Sequence, residues 1–345
     1  MTPVRRRVAP LLAVAVALAT GGILSAFAAT ATPEAAAASI TALPAYQVTQ
    51  FAAGGAYSKP DAIVYEKPYV YVAYQNDSAK DGSSARPSTI VQYDANGKAL
   101  KTFSIAGHCD GLRIDPATHL LWATVNEDAK PALYTIDPAS GAIETYQFSG
   151  AAHGGGDDDL AFVNGMAFVA ASNPTLNADG VNVSPAIYAV TLAGDTAQET
   201  LVLMGNASAM DVTTKTKVTL NLVDPDSFTV DPAGNLVLID QAGAQMISIQ
   251  APGTAQQSVT RLPVGSQLDD TVWATAASGR LFVVDATRNA VDVLTANFVP
   301  NTIYTETPDD SGVAGLVGTI DPATGIVTPI AIGFGKPTGL LFVPN

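Results

Sequence analysis

Residues 110–148 read DGLRIDPATHLLWATVNEDAKPALYTIDPASGAIETYQF, and this stretch predicts the architecture of the chain. Four apolar segments alternate in it with polar turns, among them the DPATH turn from Asp115 and the DPASG turn from Asp137. In such turns the Asp side chain accepts backbone N–H groups, Pro presets φ at the second position, and Gly adopts the left-handed conformation. Because turns of this kind join antiparallel strands, the stretch predicts a four-stranded antiparallel unit.

The pattern recurs along the chain in six segments that open with a polar or acidic residue and continue as a short apolar strand. These are Asp61-Ala-Ile-Val-Tyr, Asp110-Gly-Leu-Arg-Ile, Asp158-Asp-Leu-Ala-Phe, Asp226-Ser-Phe-Thr-Val, Asp269-Asp-Thr-Val-Trp and Thr338-Gly-Leu-Leu-Phe. Successive segments start 49, 48, 68, 43 and 69 residues apart, and a repeat of about 40–50 residues is typical of four-stranded propeller blades. The sequence therefore predicts an all-β fold, a six-bladed β-propeller, with five or seven blades as alternatives.

Both ends of the chain are predicted to build the last blade. The sixth segment ends the chain and needs an outer strand, and Tyr46–Ala52 (YQVTQFA) resembles the outer strand of the second repeat. Pairing of N- and C-terminal strands would then close the propeller. Residues 296–332 contain an additional hairpin, which either completes the sixth blade or decorates the fifth.

Composition excludes several classes of protein. The 345 residues include 31 acidic and 17 basic side chains, and the net charge of −14 argues against nucleic acid as a partner. A hydrophobic fraction of 48% with a charged fraction of 14% excludes a disordered chain. Cys109 is the single cysteine, so neither an intramolecular disulfide nor a Cys-based zinc site is available. As a lone thiol it is either packed or reactive.

The N-terminus predicts export from the cytoplasm. Basic residues 5–7 precede an apolar stretch from Val8 to Ala29, and Ala26-Phe27-Ala28 is a small-x-small cleavage site. These are the parts of a secretory signal peptide over residues 1–28; a permanent membrane anchor is the alternative. The alanine-rich residues 29–42 are predicted to be a flexible leader, and residues 43–345 a single propeller domain. We expect a secreted, acidic monomer without a stable membrane anchor.

One face of the predicted propeller carries the function. Strands alternate in direction, so the connections between units and the loops after each second strand lie on the same face. Three of these are long, at residues 75–89, 173–185 and 206–226, whereas the opposite face carries short DPA turns. Long loops on a rigid scaffold commonly hold binding residues. We therefore expect a small molecule, a glycan or a protein partner to bind there.

The same face collects carboxylates that are candidate ligands of a divalent metal, with Ca²⁺ as the best match to oxygen ligands. Five lie at inner-strand starts and two at the ends of second strands: Asp61, Asp110, Asp158, Asp226, Asp269, Asp240 and Asp285. Carboxylates that converge around a channel raise one another's pKa unless a cation neutralises them. The alternative interpretation is that each Asp only caps a turn. His108 and His153 precede successive inner strands and are candidate catalytic groups for proton transfer.

The sequence resembles the SMP-30/gluconolactonase-like group of six-bladed propellers and, more loosely, NHL-type propellers. The resemblance is carried by Cys109-Asp110-Gly111-Leu112, by DPAGNLVLIDQ at 231–241, by SGRLFVVDAT at 278–287 and by GKPTGLLFV at 335–343. It implies a divalent metal held in the channel by Glu, Asn and Asp side chains, and the opening of sugar lactones.

The resemblance carries over to single residues only in part. Asp240 or Asp285 is similar to the aspartate that closes the family's second strand. Asp110 stands where the family has the Asn of an Asn-Gly-Leu motif, and Asp61 is the nearest counterpart of its first-blade glutamate.

Two functions follow from these patterns. An exported propeller that binds a ligand or partner through its long loops agrees with the lack of a complete catalytic motif. A metal-dependent lactone or ester hydrolase agrees with the acidic ring and with the resemblance. A seven-bladed quinone-dependent redox enzyme is a third and weaker alternative, because the chain has only two tryptophans.

Overall fold

Short antiparallel strands build the predicted repeat in the computed structural model, which describes residues 39–150, 152–308 and 314–345. The predicted signal peptide and residues 29–38 of the predicted leader lie outside these ranges. The described part of the chain contains no helix, and therefore none that is long and apolar enough to span a membrane. The fold is all-β, as the sequence predicts.

The described strands are short and follow one another along the chain. The first fourteen are β1 (Thr41–Ala42), β2 (Gln47–Ala53), β3 (Pro60–Glu66), β4 (Tyr69–Tyr74), β5 (Pro87–Tyr93), β6 (Ala99–Ala106), β7 (Cys109–Ile114), β8 (Leu121–Val125), β9 (Ala132–Ile136), β10 (Ile143–Phe148), β11 (Asp157–Val163), β12 (Met166–Ala171), β13 (Pro185–Ala193) and β14 (Thr196–Met204). The others are β15 (Ser208–Asp211), β16 (Lys217–Thr219), β17 (Pro225–Val230), β18 (Leu236–Asp240), β19 (Gln245–Gln250), β20 (Ser258–Pro263), β21 (Thr271–Trp273), β22 (Gly279–Asp285), β23 (Ala290–Thr295), β24 (Ile303–Thr307), β25 (Gly315–Ile320), β26 (Val327–Phe334) and β27 (Pro337–Pro344).

Hydrogen bonding groups the strands of the described ranges into five sheets. The first is the meander β3-β4-β5-β6. The meanders β7–β10 and β11–β14 form one eight-stranded sheet, because β10 and β14 pair in parallel over two residues. The meander β17–β20 is extended by the hairpin β15–β16, and the two remaining sheets have the orders β1-β26-β25-β24-β21 and β2-β23-β22-β27.

The last of these sheets joins the two ends of the chain. The C-terminal strand β27 pairs with β22, and the N-terminal strand β2 pairs antiparallel with β23 at the other side of the hairpin. The predicted outer strand Tyr46–Ala52 is thus found one residue later, at Gln47–Ala53. Its Phe51 side chain packs edge to face against Phe282 of β22, with ring centroids 5.1 Å apart. Burying a Phe side chain such as Phe282 contributes roughly 2–3 kcal/mol.

Strand pairing corrects one assignment made from the sequence and decides between the two alternatives that were open for the extra hairpin. Thr41 and Ala42, which the sequence assigns to the leader, form β1 and pair with Ile332 and Ala331 of β26. The hairpin in residues 296–332 belongs with β21, since β24 pairs with Thr271–Trp273 and β25 and β26 follow. The preceding β22–β23 hairpin crosses to the C-terminal strand instead.

Asp-initiated turns close the hairpins as their chemistry requires. In each turn the Asp Oδ1 atom accepts the backbone N–H two residues later at 2.8–2.9 Å. The five turns begin at Asp94, Asp115, Asp137, Asp231 and Asp321. These bonds hold the turns at which the chain reverses between neighbouring antiparallel strands.

Candidate functional site

A cavity of about 570 Å³ lies where the inner strands begin. The inner strands contact one another in a closed series: β3 with β7, β7 with β11, β11 with β17, β17 with β21, β21 with β27, and β27 with β3. The cavity brings together the five aspartates predicted at strand starts, which are Asp61, Asp110, Asp158, Asp226 and Asp269.

A β-bulge at four of these strand starts explains why the aspartates face the cavity. Pairing with the second strand skips two residues in each case, from Pro60 to Ile63, from Cys109 to Leu112, from Asp157 to Leu160 and from Pro225 to Phe228. The skipped residues include Asp61, Asp110, Asp158 and Asp226. A bulge changes the direction of side chains at the edge of a sheet. Here the skipped aspartates no longer follow the regular alternation of side chains between the two faces of the strand.

The cavity wall is strongly acidic, with ten acidic and four basic side chains. Asp110 and Asp158 are buried, whereas Asp61, Asp226 and Asp269 remain partly exposed to the cavity. Loss of hydration and the neighbouring carboxylates raise the pKa of all five well above the usual aspartate value. A proton or a cation is therefore favoured at these groups.

His108 is fixed in one tautomer by its surroundings. Its Nδ1 atom lies 2.7 Å from the Ser78 carbonyl oxygen, which can only accept, so Nδ1 carries the proton. Burial lowers the pKa of His108, so the ring is neutral at pH 7. The buried Nε2 lone pair lies 3.2 Å from Asp110 Oδ1, but neither Nε2 nor Asp110 Oδ2 has a hydrogen-bond partner among the described residues.

Glu127 and Lys80 form an ion pair in the cavity. Glu127 follows β8, and Lys80 belongs to the β4–β5 loop, whose Gln75 amide also donates to Asp110 Oδ1 at 3.3 Å. Burial, the largest single influence, raises the pKa of Glu127, but the Lys80 ammonium group, Asp158 and His108 together turn the net shift downward. Glu127 therefore favours the ionised form, in contrast to the five aspartates whose pKa values are raised.

Two groups of potential metal ligands share Glu127. In the first, ligand atoms of His108, Asp110 and Glu127 lie within 4.8 Å of one another. In the second, ligand atoms of Glu127, Asp158 and Asp226 meet the same criterion, and Asp226 Oδ2 is buried without a hydrogen-bond partner in the described chain.

Arg113 and Asp159 close the floor of the cavity. The Arg113 Nη2 group donates to Asp159 Oδ2 and, at 2.7 Å, to the Phe228 carbonyl. Burial raises the pKa of Asp159 to about 7, although Arg113 pulls it down. Arg113 also lines a more apolar hollow of about 380 Å³ formed by Ile114, Phe162 and other inner-strand residues.

Three residues predicted at the site do not line this cavity. Asp240 accepts the Asp224 N–H at 2.7 Å, and Asp285 accepts the N–H groups of Gly335 and Lys336 at 2.7 and 3.0 Å. Each of these carboxylates holds a loop in place. His153 is buried with Nε2 2.8 Å from the Gly156 carbonyl, also away from the cavity.

Three features of the site were not predicted from the sequence: Lys80, Arg113, and the position of Glu127 in both groups of potential metal ligands. Arg113 carried a recognisable signal, a charge inside the apolar strand GLRI. Lys80 lies in a loop singled out for its length, but its partner on β8 could not be read from the sequence. Cys109 is fully buried and burial raises the pKa of its thiol, which agrees with the packed alternative.

Comparisons with known proteins bear on the fold. The sequence matches no protein-family model and no curated protein. The structure is similar to a putative gluconolactonase, with a TM-score of 0.50, 12% identity, and coverage of 88% of this chain and 87% of that one. It is also similar to a protein of unknown function from Bacteroides caccae, with a TM-score of 0.50, 9% identity, and coverage of 83% and 87%.

A virginiamycin B lyase from Staphylococcus aureus matches with a TM-score of 0.46, 10% identity, and coverage of 87% of this chain and 89% of that one. At such identities the likenesses concern the fold alone. The chain has a β-propeller fold, consistent with a distant SMP-30/gluconolactonase-like propeller, as the sequence motifs suggested.

Proposed function

We propose that this protein is an exported six-bladed propeller that binds a divalent cation in its acidic cavity and a small polar molecule beside it. The observation that carries the proposal is the convergence of Glu127, Asp158 and Asp226, whose ligand atoms lie within 4.8 Å of one another. The six inner strands that contact one another in a closed series support the blade number.

A hard cation such as Ca²⁺ fits this group of three carboxylates. The donor set consists of oxygen only, which Ca²⁺ prefers. Asp226 Oδ2 is buried and lacks a partner within the described residues, a costly arrangement for an acceptor. Burial and the neighbouring Asp226 and Glu127 raise the pKa of Asp158. These three carboxylates can therefore all ionise only if a cation offsets their repulsion.

The ligand beside the cation is expected to be neutral and polar. The excess of acidic wall residues disfavours an anion. Gln75, Asn173 and Gln241 supply amide groups along the wall, where they can hydrogen-bond a sugar or a lactone. Gln75 and Asn173 come from long loops that the sequence selected as binding loops.

Hydrolysis of a lactone or ester is the second candidate function, favoured by the likeness to a putative gluconolactonase. A bound cation would supply a Lewis acid for the carbonyl oxygen. Asp61 is partly exposed to the cavity, and its raised pKa suits a group that takes a proton from an attacking water.

Calorimetric titration of chelator-stripped protein with Ca²⁺ tests the proposal. We expect stoichiometric binding by the wild type and a large loss of affinity in Asp226→Asn. The matched control is Asp77→Asn, because Asp77 lines the same cavity but is half exposed at its rim. A wild type that does not bind millimolar Ca²⁺ would refute the cation site. Sugar and lactone screens with and without Ca²⁺ then separate binding from turnover.

Export is tested independently of the site. Extracellular modules bind Ca²⁺ with dissociation constants of about 10⁻⁴–10⁻³ M, so an exported protein with this site needs only modest affinity. N-terminal sequencing of protein from the culture medium should find residue 29 first. Full-length protein retained in the cytoplasm would contradict this part of the proposal.

A further inference from the structure

We propose that the cavity is a two-cation site in which Glu127 bridges the Ca²⁺ position to a transition-metal position formed by His108 and Asp110. The inference rests on the proposed function for the first cation and adds a second one of different chemistry. Zn²⁺ is the metal to which we assign the second position.

The first argument is the sharing of Glu127. Ligand atoms of His108, Asp110 and Glu127 form one close group, and those of Glu127, Asp158 and Asp226 form another. A carboxylate has two oxygens and can place one on each of two cations, as in two-metal sites. The single ammonium group of Lys80 balances only one negative charge of this set.

The second argument is the state of the His108 ring. Metal-binding histidines almost always donate their other ring N–H to a carbonyl or carboxylate, which fixes the tautomer and orients the ring. His108 does this through Nδ1 to the Ser78 carbonyl at 2.7 Å. Its Nε2 lone pair is thereby turned toward Asp110 and Glu127.

The third argument is the set of unpartnered atoms. His108 is only 6% exposed and Asp110 8%, and both His108 Nε2 and Asp110 Oδ2 are buried without a hydrogen-bond partner in the part of the chain that is described. Nε2 and Asp110 Oδ1, both lone-pair carriers, face each other at 3.2 Å. Two acceptors at this distance repel unless a proton or a cation lies between them.

The donor types distinguish the two positions. An imidazole nitrogen suits Zn²⁺ and other transition metals, whereas Ca²⁺ prefers oxygen. One His with two carboxylates supplies three protein ligands, the number that leaves a fourth zinc position for water or substrate. A water molecule or an oxygen atom of a small ligand would occupy that fourth position, next to the Ca²⁺ position.

Equilibrium dialysis of the full mature chain against Zn²⁺ in excess Ca²⁺, followed by elemental analysis, measures both metals. We expect one Zn²⁺ and one Ca²⁺ per chain. His108→Ala should weaken Zn²⁺ binding by roughly 100-fold or more, since loss of an outer-shell partner alone costs about 10–100-fold, and should leave one Ca²⁺ bound. Asp226→Asn should lose Ca²⁺ and keep Zn²⁺, and Glu127→Gln should weaken both.

Two controls make the result specific. His119→Ala removes a histidine whose side chain is 70% exposed and paired with Glu66, outside the cavity, and should leave both metals bound. Asp110→Asn repeats the test of the Zn²⁺ position if His108→Ala fails to fold. Co²⁺ offers a second readout, because its visible absorption should change on binding to the wild type and not to His108→Ala.

The outcomes separate the two proposals. Ca²⁺ binding without Zn²⁺ binding overturns this inference and leaves the proposed function standing. Zn²⁺ binding that needs His108, without Ca²⁺ binding, refutes the proposed Ca²⁺ site and with it the two-cation arrangement, and leaves only the Zn²⁺ position. Loss of both metals in His108→Ala indicates one shared position and overturns the two-cation site. Zn²⁺ bound equally well by His108→Ala is adventitious and also overturns it.

Discussion

Replacing Arg113 by Met should destabilise the protein by leaving a buried carboxylate without its cation. Arg113 Nη2 contacts Asp159 Oδ2, and Asp159 is only 4% exposed. After the substitution Asp159 keeps two backbone donors, Leu160 N at 2.7 Å and Phe228 N at 2.8 Å. Met retains an unbranched apolar chain, so the change removes the charge with little loss of packing.

The size of the effect follows from burial. Removing one partner of a buried ion pair costs about 3–5 kcal/mol. The Arg113 side chain is 21% exposed and Asp159 retains two N–H bonds, so we expect the lower end, about 3 kcal/mol at pH 8. For a folded domain of about 300 residues this corresponds to a fall in Tm of about 5 °C.

The cost should depend on pH. The pKa of Asp159 is raised to about 7 in the folded state, far above its ordinary value of 3.8. The folded protein therefore takes up a proton as the pH falls through 7, whereas the unfolded chain does so only near pH 4, and acidification favours the folded state. At pH 5 Asp159 is neutral in both proteins, so the cost of Arg113→Met should fall below about 1 kcal/mol.

Urea unfolding followed by circular dichroism, in chelator at pH 8 and pH 5, measures this cost. Arg113→Met, Asp159→Asn and the double variant form a thermodynamic cycle, with an expected coupling of about 1–3 kcal/mol at pH 8. Arg86→Met is the control, because Arg86 is exposed and lies 3.8 Å from Asp77, and should cost less than about 0.5 kcal/mol. A cost of Arg113→Met below 1 kcal/mol at pH 8, or an equal cost at pH 5, would refute the reasoning.

Three further predictions concern the cavity and one turn. Lys80→Met frees Glu127 from its ammonium partner and should raise Ca²⁺ affinity roughly tenfold by calorimetry. Unchanged or weaker Ca²⁺ binding would contradict the idea that Lys80 and Ca²⁺ compete for Glu127. Wild-type protein stripped of metal by a chelator should melt at a lower temperature at pH 8 than at pH 5. The reason is that the cavity carboxylates have raised pKa values in the folded state and lose their protons as the pH rises. Added Ca²⁺ should restore the Tm only at pH 8. Melting curves that do not depend on pH would rule this out. Gly97→Ala should destabilise the protein by about 3 kcal/mol or more, because Gly97 has φ +81° and an added Cβ meets the Phe51 carbonyl. The control Gly234→Ala, at φ +83° with open space around the added Cβ, should cost only about 1–2 kcal/mol. Equal unfolding midpoints for the two variants would contradict the steric argument.

The turns and the alternation of strands could be predicted from the sequence because they depend on local interactions. The Asp-Pro-Ala turns need only the side chain and the N–H two residues later, and the five Asp turns have this bond. The repeat spacing also set the phase of the strands, so the convergence of the strand-start aspartates could be predicted. Even the pairing of Gln47–Ala53 with the last sheet followed from its likeness to an outer strand.

The pairing of strands that are far apart in the sequence could not be predicted. The β22–β23 hairpin follows β21 directly in sequence, yet β22 pairs with β27, whose partner residues lie 52 to 65 positions later, from Asp285 with Pro337 to Gly279 with Pro344. The hairpin sequence does not identify β27 as its partner, because an apolar strand with period-two alternation can pair with the edge of any neighbouring sheet. The segment that does pair with β21 begins only at Ile303.

The sequence by itself determined the all-β repeat, its turns and the acidic end of the inner strands, since these depend on contacts between near neighbours in the chain. The tertiary structure alone decided what each carboxylate does. Asp226 and Asp285 are the same residue type at strand ends, but a bulge turns Asp226 into the cavity, while Asp285 accepts N–H groups from Gly335 and Lys336. Whether a carboxylate meets a backbone donor or another carboxylate depends on residues far away in sequence, and that choice separates a loop cap from a potential metal ligand.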